Sequence, residues 1–389
     1  MPLIYIIAGE QSGDILGARL MRAIIAKCPD ATFAGIGGSA MQRQGLTSLF
    51  PMRELALMGL LEVLPKLRQL RVRLRQTTDD ISERRPDAVV TIDSPGFTLR
   101  VLRAIAPLGL KRAHYVAPQV WAWREKRVRH YPGLWDSLLC LLPFEPAFFA
   151  RHGLCGVFVG HPVLESDADL GDGPAFRARH GIAPDALVLT VMPGSRRTEV
   201  SRLLPILGET LRLLPPGIVP VVPLAGPVAE AVRAGTADWP VEPILVIDEA
   251  DKFGAYAASN AALTKSGTST LELALAAVPM VVTYRVNPIT AWIVRRSVKV
   301  TFASLLNLLA GRQVVPELLQ EDCIPAKLAA VLRGLLTAPG GGAEQVAAYR
   351  PVLETLRPAT GTPSEAAADA VLALLDRSKP CDDKQSLER

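Results

Sequence analysis

IIAGEQSGDILGARL, residues 6–20, joins a short apolar run to a stretch punctuated by glycines and spaced like a helix. Read as strand, turn and helix, it makes the start of the chain α/β, and the turn falls where nucleotide-binding folds carry their glycines. Neither common fingerprint fits. The Rossmann turn requires G-x-G-x-x-G and the P-loop G-x-x-x-x-G-K-[ST]. Here Gly9, Gly13 and Gly17 fall four apart, with Ser12 and Asp14 between them and no lysine.

The same alternation continues outward. Short apolar runs closed by Gly, Pro or Ser occur at 3–8, 88–92, 113–117 and 137–142, then at 187–192, 218–222, 244–247, 261–264 and 279–284. Amphipathic stretches separate them, which reads as parallel strands with crossover helices. ESDADLGDGP (165–174) interrupts the theme with acids and glycines. The expected organisation is two Rossmann-like, doubly wound domains, over 1–164 and 176–325, joined by a linker at 165–175. Helices follow over 326–378, and 379–389 reads as a disordered polar tail. In doubly wound sheets ligands bind at the loops leaving the carboxyl ends of the strands. A cleft between two such domains is therefore the expected site.

At 389 residues with 49% hydrophobic content, the chain has enough apolar material for two cores. The start MPLIYIIAGEQ lacks a basic region before its short apolar run, and no window reaches the roughly 18 apolar residues of a membrane span. A cytoplasmic location is expected. Cysteines 28, 140, 155, 323 and 381 form no C-x-x-C, so neither a disulfide framework nor a metal site is indicated. Net charge is only +5 but unevenly distributed.

The second domain holds the sharpest chemical signal. VLTVMPGSRRTEVSRLL places Gly194, Ser195 and Arg196 between a strand and a helix, and ALTKSGTSTLELAL does the same with Ser266, Gly267 and Thr268. Glycines admit close approach of a ligand, and first-turn N–H groups favour anions. Hydroxyls add donors, and Arg196 can fork onto a phosphate. Glu272, in the following helical turn, is placed to accept ribose hydroxyls or simply to cap its helix. Together the two loops point to a nucleoside diphosphate. ILVIDEAD (244–251) imitates a helicase motif, but no P-loop accompanies it. Its acids read instead as a favourable helix start.

In the first domain the chemistry is acidic. TIDSPGF sets Asp93 directly after an apolar strand, where a carboxylate suits a general base taking a proton from a hydroxyl. Glu10 and Asp14 on the opening loop are the alternatives, and a plain Asx turn before Pro95 is the structural reading. His161, in FVGHPVLE, ends another strand and reads equally as a ligand contact or a hydrogen-bonded hinge. GLLEVLPKLRQLRVRLRQ (59–76) carries Leu64, Leu67, Leu70 and Leu74 at helical spacing, accompanied by Arg68, Arg71 and Arg75, with no acid after Glu62. Such a segment fits a helix lying on an anionic phospholipid membrane, or an ordinary surface helix. It lacks the aromatic stacking set of nucleic-acid binders, so no nucleic acid partner is expected.

The blocks IIAGEQSGDILGA, GIGGSAMQRQGL, ALMGLLEVLPKL, YVAPQVWAWREKRV, LPFEPAFF, FVGHPV, PGSRRTEV, SGTSTLELAL and LLNLLAGRQVVPELLQ run in order from about residue 6 to 325. Together they resemble the lipid-A-disaccharide synthase family of inverting GT-B glycosyltransferases. The resemblance implies UDP-2,3-diacylglucosamine as donor and 2,3-diacylglucosamine 1-phosphate (lipid X) as acceptor. The products would be the β(1→6) disaccharide and UDP, made without metal or cofactor at the cytoplasmic face of the Gram-negative inner membrane. It implies Asp93 as catalytic carboxylate, Arg196 on the donor diphosphate, and Ser266, Gly267, Thr268 and Glu272 on UDP. Asn307 would be a polar residue of the donor cleft, and Glu10, Ser12, Gly13 and Asp14 would lie on the acceptor side. The family's usual D-x-P-D-F-N reads Asp93-Ser94-Pro95-Gly96-Phe97-Thr98 here, so the second acid is missing. The C-terminal helices would reach back to the first domain or to another chain, the latter giving a homodimer.

Overall fold

The computed structural model describes residues 1–55, 60–224, 226–287, 291–292, 296, 298 and 300–376, with side chains described at all of these except 60–67, 227, 249 and 250. The chain divides into two α/β units: Met1–Pro162 together with the segment from Leu356 onward, and Val163–Thr355. Among the described residues each unit holds one six-stranded parallel sheet.

In the first unit the strands are β1 (Leu3–Ala8), β2 (Thr32–Ile36), β3 (Ala88–Ile92), β4 (Lys111–Tyr115), β5 (Ser137–Cys140) and β6 (Gly156–Phe158), in the order β2-β1-β3-β4-β5-β6. AVVTI of β3 is buried at every position, as a strand covered on both faces must be. The period-2 alternation of side chains sorts β1 between two cores. Ile4, Ile6 and Ala8 face a cluster with Leu16, Leu20 and Ile24 of the helix Gln11–Lys27. Tyr5 and Ile7 face another with Ile81, Phe97, Val101 and Ile105.

The second unit contains β7 (Val188–Met192), β8 (Val219–Pro223), β9 (Ile244–Val246), β10 (Ala261–Lys265), β11 (Met280–Tyr284) and β12 (Glu317–Leu319), in the order β12-β11-β10-β7-β8-β9. In both sheets the first strand is flanked on one side by the next strand and on the other by a later one. The chain therefore leaves β1 and β3, and likewise β7 and β10, toward opposite sides. That reversal opens a crevice at the carboxyl ends of the strands, where such sheets take their ligands.

The helical stretch expected over 326–378 divides between the units. Pro325–Thr337 buries Leu328, Leu332 and Leu336 in the second unit. Ala343–Glu354 binds the same unit through Gln345, whose Oε1 accepts the Met280 N–H at 2.9 Å, and Tyr349, whose hydroxyl donates to the Val278 carbonyl at 3.2 Å. Pro363–Leu375 instead returns to the first unit. Ala367, Ala368 and Val371 join the core beside Leu16 and Leu20; fully burying a side chain such as Val371 contributes roughly 1.5–3 kcal/mol. The acidic stretch expected as a linker at 165–175 is partly helical: the Asp172 carboxylate accepts the Ala175 N–H at 2.8 Å and caps Gly173–Arg179. The tail at 379–389 lies outside the described residues. No described helix is long and apolar enough to cross a membrane.

Candidate active site

At the crevice of the first unit stand the ends of β1 and β3. Asp93 and Ser94, directly after β3, both adopt left-handed backbone conformations, with φ of +46° and +45°. Val116, at the end of neighbouring β4, has φ of +76°. Such conformations cost non-glycine residues on the order of 1–3 kcal/mol each and persist only where the surroundings impose them. The imposing contacts are visible. The Asp93 N–H donates to the Tyr115 carbonyl at 2.9 Å, and the Thr98 hydroxyl donates to the carbonyls of Asp93 and Ser94 at 2.6 and 3.0 Å. Gly9 abuts this turn so closely that a Cβ there would lie 2.6 Å from Ser94 Oγ. Burial pushes the Asp93 carboxyl above the ordinary carboxylate range, opposed by a hydrogen bond from the Ser94 backbone. A half-buried carboxylate of raised basicity at a strand end is suited to accept a proton.

The other acids of the opening loop divide. Glu10 is exposed at the N-cap of Gln11–Lys27, and Ser12 is exposed in its first turn. Asp14 is buried and accepts backbone N–H groups from Gly38, Ala40 and Met41 at 2.7, 2.9 and 3.1 Å. Its expected acceptor-side role gives way to a structural one, because its carboxylate holds the turn after β2. Gly13 faces inward, 3.5 Å from Ala8 as an added Cβ would see it, so its smallness serves helix-on-sheet packing. His161 is buried, its backbone N–H donates to the Leu356 carbonyl at 2.9 Å, and burial pulls its imidazole down to about 4. It is a neutral residue where the returning segment joins the first unit. Glu145, which residue patterns did not single out, links two of the quoted blocks. Its carboxylate accepts Trp121 Nε1–H and the N–H groups of Leu141 and Leu142, each at 3.0 Å, and burial pushes it up to about 7.

In the second unit β7 and β10 are neighbours, so the two glycine turns sit side by side. Gly194, at φ +117°, brings the first turn over Glu199: a Cβ there would meet Glu199 Oε2 at 2.6 Å. Glu199 is buried and receives the N–H groups of Ser195 and Arg196 at 3.3 and 3.4 Å on Oε2. On Oε1 it receives Arg196 Nη1 at 3.2 Å, with Lys265 Nζ and the Tyr284 hydroxyl each at 3.4 Å. Burial alone would raise its carboxyl, but Lys265, Arg196 and the Ser195 amide outweigh that and hold it below the ordinary value. One carboxylate thus ties together the ends of β7, β10 and β11. Ser195, Arg196 and Thr268 remain exposed above it.

Glu272 is half-buried, with Lys252 Nζ 3.2 Å from both carboxylate oxygens and the Tyr256 hydroxyl at 3.1 Å. Lys252 lies on Glu249–Ala258, the helix begun by the DEAD imitation, and Asp251 there pairs with Arg179 and His180. Asn307 departs from its expected donor-binding role. It is fully buried; its Nδ2 donates to the Val315 carbonyl at 2.9 Å and to Glu317 at 2.7 Å, while Oδ1 accepts Val314 N–H at 2.6 Å and Val315 N–H at 2.9 Å. Glu317 in turn accepts the N–H groups of Ala303 and Ser304, and the Ala303 carbonyl accepts the Ser266 hydroxyl at 2.6 Å. Asn307 therefore acts on the 266–268 turn through a chain of hydrogen bonds.

The helix Leu60–Arg84 presents Arg68, Arg71 and Arg75 to solvent, along with Val72. Leu70 and Leu74 correct the expectation of membrane contact, because they turn inward and pack on the core beside β1 and β3. The side chains of Leu64 and Leu67 lie outside the described residues.

The family model described as Lipid-A-disaccharide synthetase matches residues 4–371. The chain is 58% identical over 388 residues to the lipid-A-disaccharide synthase of Granulibacter bethesdensis, covering 96% of this chain and 99% of that protein. To the synthase of Gluconobacter oxydans it is 56% identical over 377 residues, covering 96% and 91%. Among solved structures, the S. aureus MnaA–UDP co-structure aligns with a TM-score of 0.65 at 15% identity, over 98% of this chain and 99% of that one. The calicheamicin glycosyltransferase CalG4 aligns at 0.61 and 15%, over 98% and 100%. At such identities the structures speak for fold alone, and the fold is the GT-B type. The strand orders, the two switch-point loops and the near full-length family match thus converge: this chain belongs to the lipid-A-disaccharide synthase family and is a GT-B glycosyltransferase using a nucleotide sugar.

Proposed function

We propose that the enzyme joins UDP-2,3-diacylglucosamine to 2,3-diacylglucosamine 1-phosphate, giving the β(1→6)-linked disaccharide 1-phosphate and UDP. Asp93 takes the proton from the acceptor 6-hydroxyl. The oxygen then attacks the donor's anomeric carbon on the side opposite UDP, the C1–O bond breaks, and its electron pair leaves on the β-phosphate. Configuration inverts. Arg196 and the backbone of the 194–196 and 266–268 turns meet the departing charge as a preorganised electrostatic site, with Glu272 on the ribose. Glu10 and Ser12 are the acceptor-side groups we retain. The single observation carrying this reading is the half-buried, left-handed Asp93 at the β1/β3 crevice, in a chain whose second unit gathers cations and amides at the β7/β10 crevice. Arg68, Arg71 and Arg75 would hold the protein against the anionic cytoplasmic leaflet, each adding about 1 kcal/mol near the surface.

The test is UDP release measured with and without the monosaccharide acceptor, followed by chromatography of the lipid product. Acceptor-dependent UDP release with a disaccharide product is expected. Acceptor-independent UDP release, or an epimerised sugar, would overturn the reading.

A further inference from the structure

Glu199 has more hydrogen-bond donors than a carboxylate can serve fully. Its Oε1 alone is approached by Arg196 Nη1, Lys265 Nζ and the Tyr284 hydroxyl at 3.2, 3.4 and 3.4 Å, three donors for one oxygen with two lone pairs. The longest contacts are therefore shared. Lys265 is the least served member. Its side chain is only 17% exposed, yet its ammonium, with three N–H groups, makes no hydrogen bond but this one among the described residues. Its other partner among the described residues is the Tyr284 ring, whose centroid lies 6.0 Å from Nζ, and a largely desolvated cation with one shared hydrogen bond and one distant ring is poorly compensated as a purely structural arrangement.

Its position suggests what the surplus is for. Lys265 closes β10 immediately before Ser266, and its Nζ lies 3.4 Å from where a Cβ on Gly267 would stand. The ammonium therefore flanks the 266–268 turn while the Arg196 guanidinium flanks the 194–196 turn, and both share one buried carboxylate. Two cations against one anion leave a local charge of +1 between two turns rich in N–H groups. That is the complement of a multiply charged anion small enough to touch both turns.

We infer that Lys265 is a second diphosphate-binding cation of the second unit, acting beside Arg196 on the phosphates of the nucleotide sugar and of the UDP product. The inference rests on the donor reading above and adds a residue to it. When phosphate oxygens arrive, the two uncommitted ammonium N–H groups donate to them while Glu199 keeps its remaining donors.

The experiment measures binding of UDP and of uridine by calorimetry to the full-length protein, its Lys265→Gln variant and its Lys265→Arg variant. Gln keeps an N–H group for Glu199 and removes the charge; Arg keeps the charge. UDP affinity should fall by about tenfold or more in Lys265→Gln, as expected for a lost charge-assisted hydrogen bond. Uridine affinity should stay unchanged, and Lys265→Arg should recover most of the UDP loss. Unaltered UDP affinity in Lys265→Gln, or equal weakening of UDP and uridine, would overturn the role of Lys265. Absence of UDP binding by the unsubstituted protein would instead sink the donor reading itself. Should Lys265→Gln fail to fold, Lys265→Met with the same two ligands decides on the same criteria.

Discussion

Asp93→Asn separates chemistry from architecture better than any truncation. Asn tolerates the left-handed backbone nearly as well as Asp, and its side-chain oxygen can still accept from the Ser94 N–H. The turn should therefore keep its φ near +46°. What disappears is the proton acceptor. A positioned general base is worth roughly 10²–10⁴ in rate, or about 2.7–5.5 kcal/mol of transition-state stabilisation. Turnover measured by UDP release should fall by that factor. Folding stability should move the other way or not at all, since burial already disfavours the ionised carboxyl and the amide carries no charge.

The pH dependence fixes the sign. A base must be ionised, so activity falls as pH drops through the folded pKa of Asp93. That pKa is raised, so the acid limb of kcat/KM should lie above the ordinary Asp value of about 3.9. Between the unfolded and folded pKa values the folded state binds more protons, so this group's contribution to stability declines as pH rises. Asp93→Asn should lose both dependences. Activity within tenfold of the unsubstituted enzyme, with the acid limb intact, would refute the assignment and pass the role to Glu10. A stability loss above about 1 kcal/mol would mark Asp93 as structural instead.

Three further perturbations follow. Asp14→Ala leaves three backbone N–H groups without their carboxylate; urea unfolding should show a loss of roughly 2–4 kcal/mol, with UDP affinity unchanged. Asn307→Ala orphans the buried Val314 and Val315 amides and releases Glu317. It should cost roughly 3–5 kcal/mol by the same measurement and weaken UDP binding through the Ser266 turn. Arg68→Glu, Arg71→Glu and Arg75→Glu together should abolish co-sedimentation with anionic vesicles while leaving secondary structure intact, since all three side chains are exposed. Unchanged co-sedimentation would return the segment to an ordinary surface helix.

Much of the fold was legible because buried parallel strands are short apolar runs, and LIYIIA, AVVTI and VLTVM announce themselves in one dimension. Strand order did not, because it depends on which crossover packs on which face. Nor did β12, whose three half-buried residues sit at a sheet edge with no run to betray them. The glycine turns were legible as ligand-compatible backbone. Their organising acid was not, because Glu199 reads as a routine first-turn carboxylate until β7, β10 and β11 converge on it. Lys265 was in plain view before Ser266, but its burial is a property of the sheet. Asp14 was nominated by its place on the opening loop and by the resemblance, and Asn307 by the resemblance, but a polar residue in a motif can face a ligand or be engaged by its own backbone. The leucines at 70 and 74 were similarly ambiguous, since a helix facing the core and one facing a bilayer share the same spacing.

The nominated polar residues fall into two classes by what the fold does with them. Asp14 and Asn307 are buried and fully engaged, so burial incurs no standing penalty, and nothing in their surroundings requires a ligand. Asp93 and Lys265 are the reverse. One is a carboxyl raised by burial on a strained turn; the other is a half-buried ammonium with one shared hydrogen bond and a distant aromatic ring. Each lies at the carboxyl end of a strand bordering a crevice, one per unit. Arrangements that lower stability without a structural return persist where substrate binding or chemistry supplies the compensation. On that ground we propose each for a functional role, Asp93 in proton transfer and Lys265 on the leaving group. A double substitution, Asp93→Asn with Lys265→Gln, should therefore leave the protein at least as resistant to urea as Asp14→Ala while reducing turnover far more.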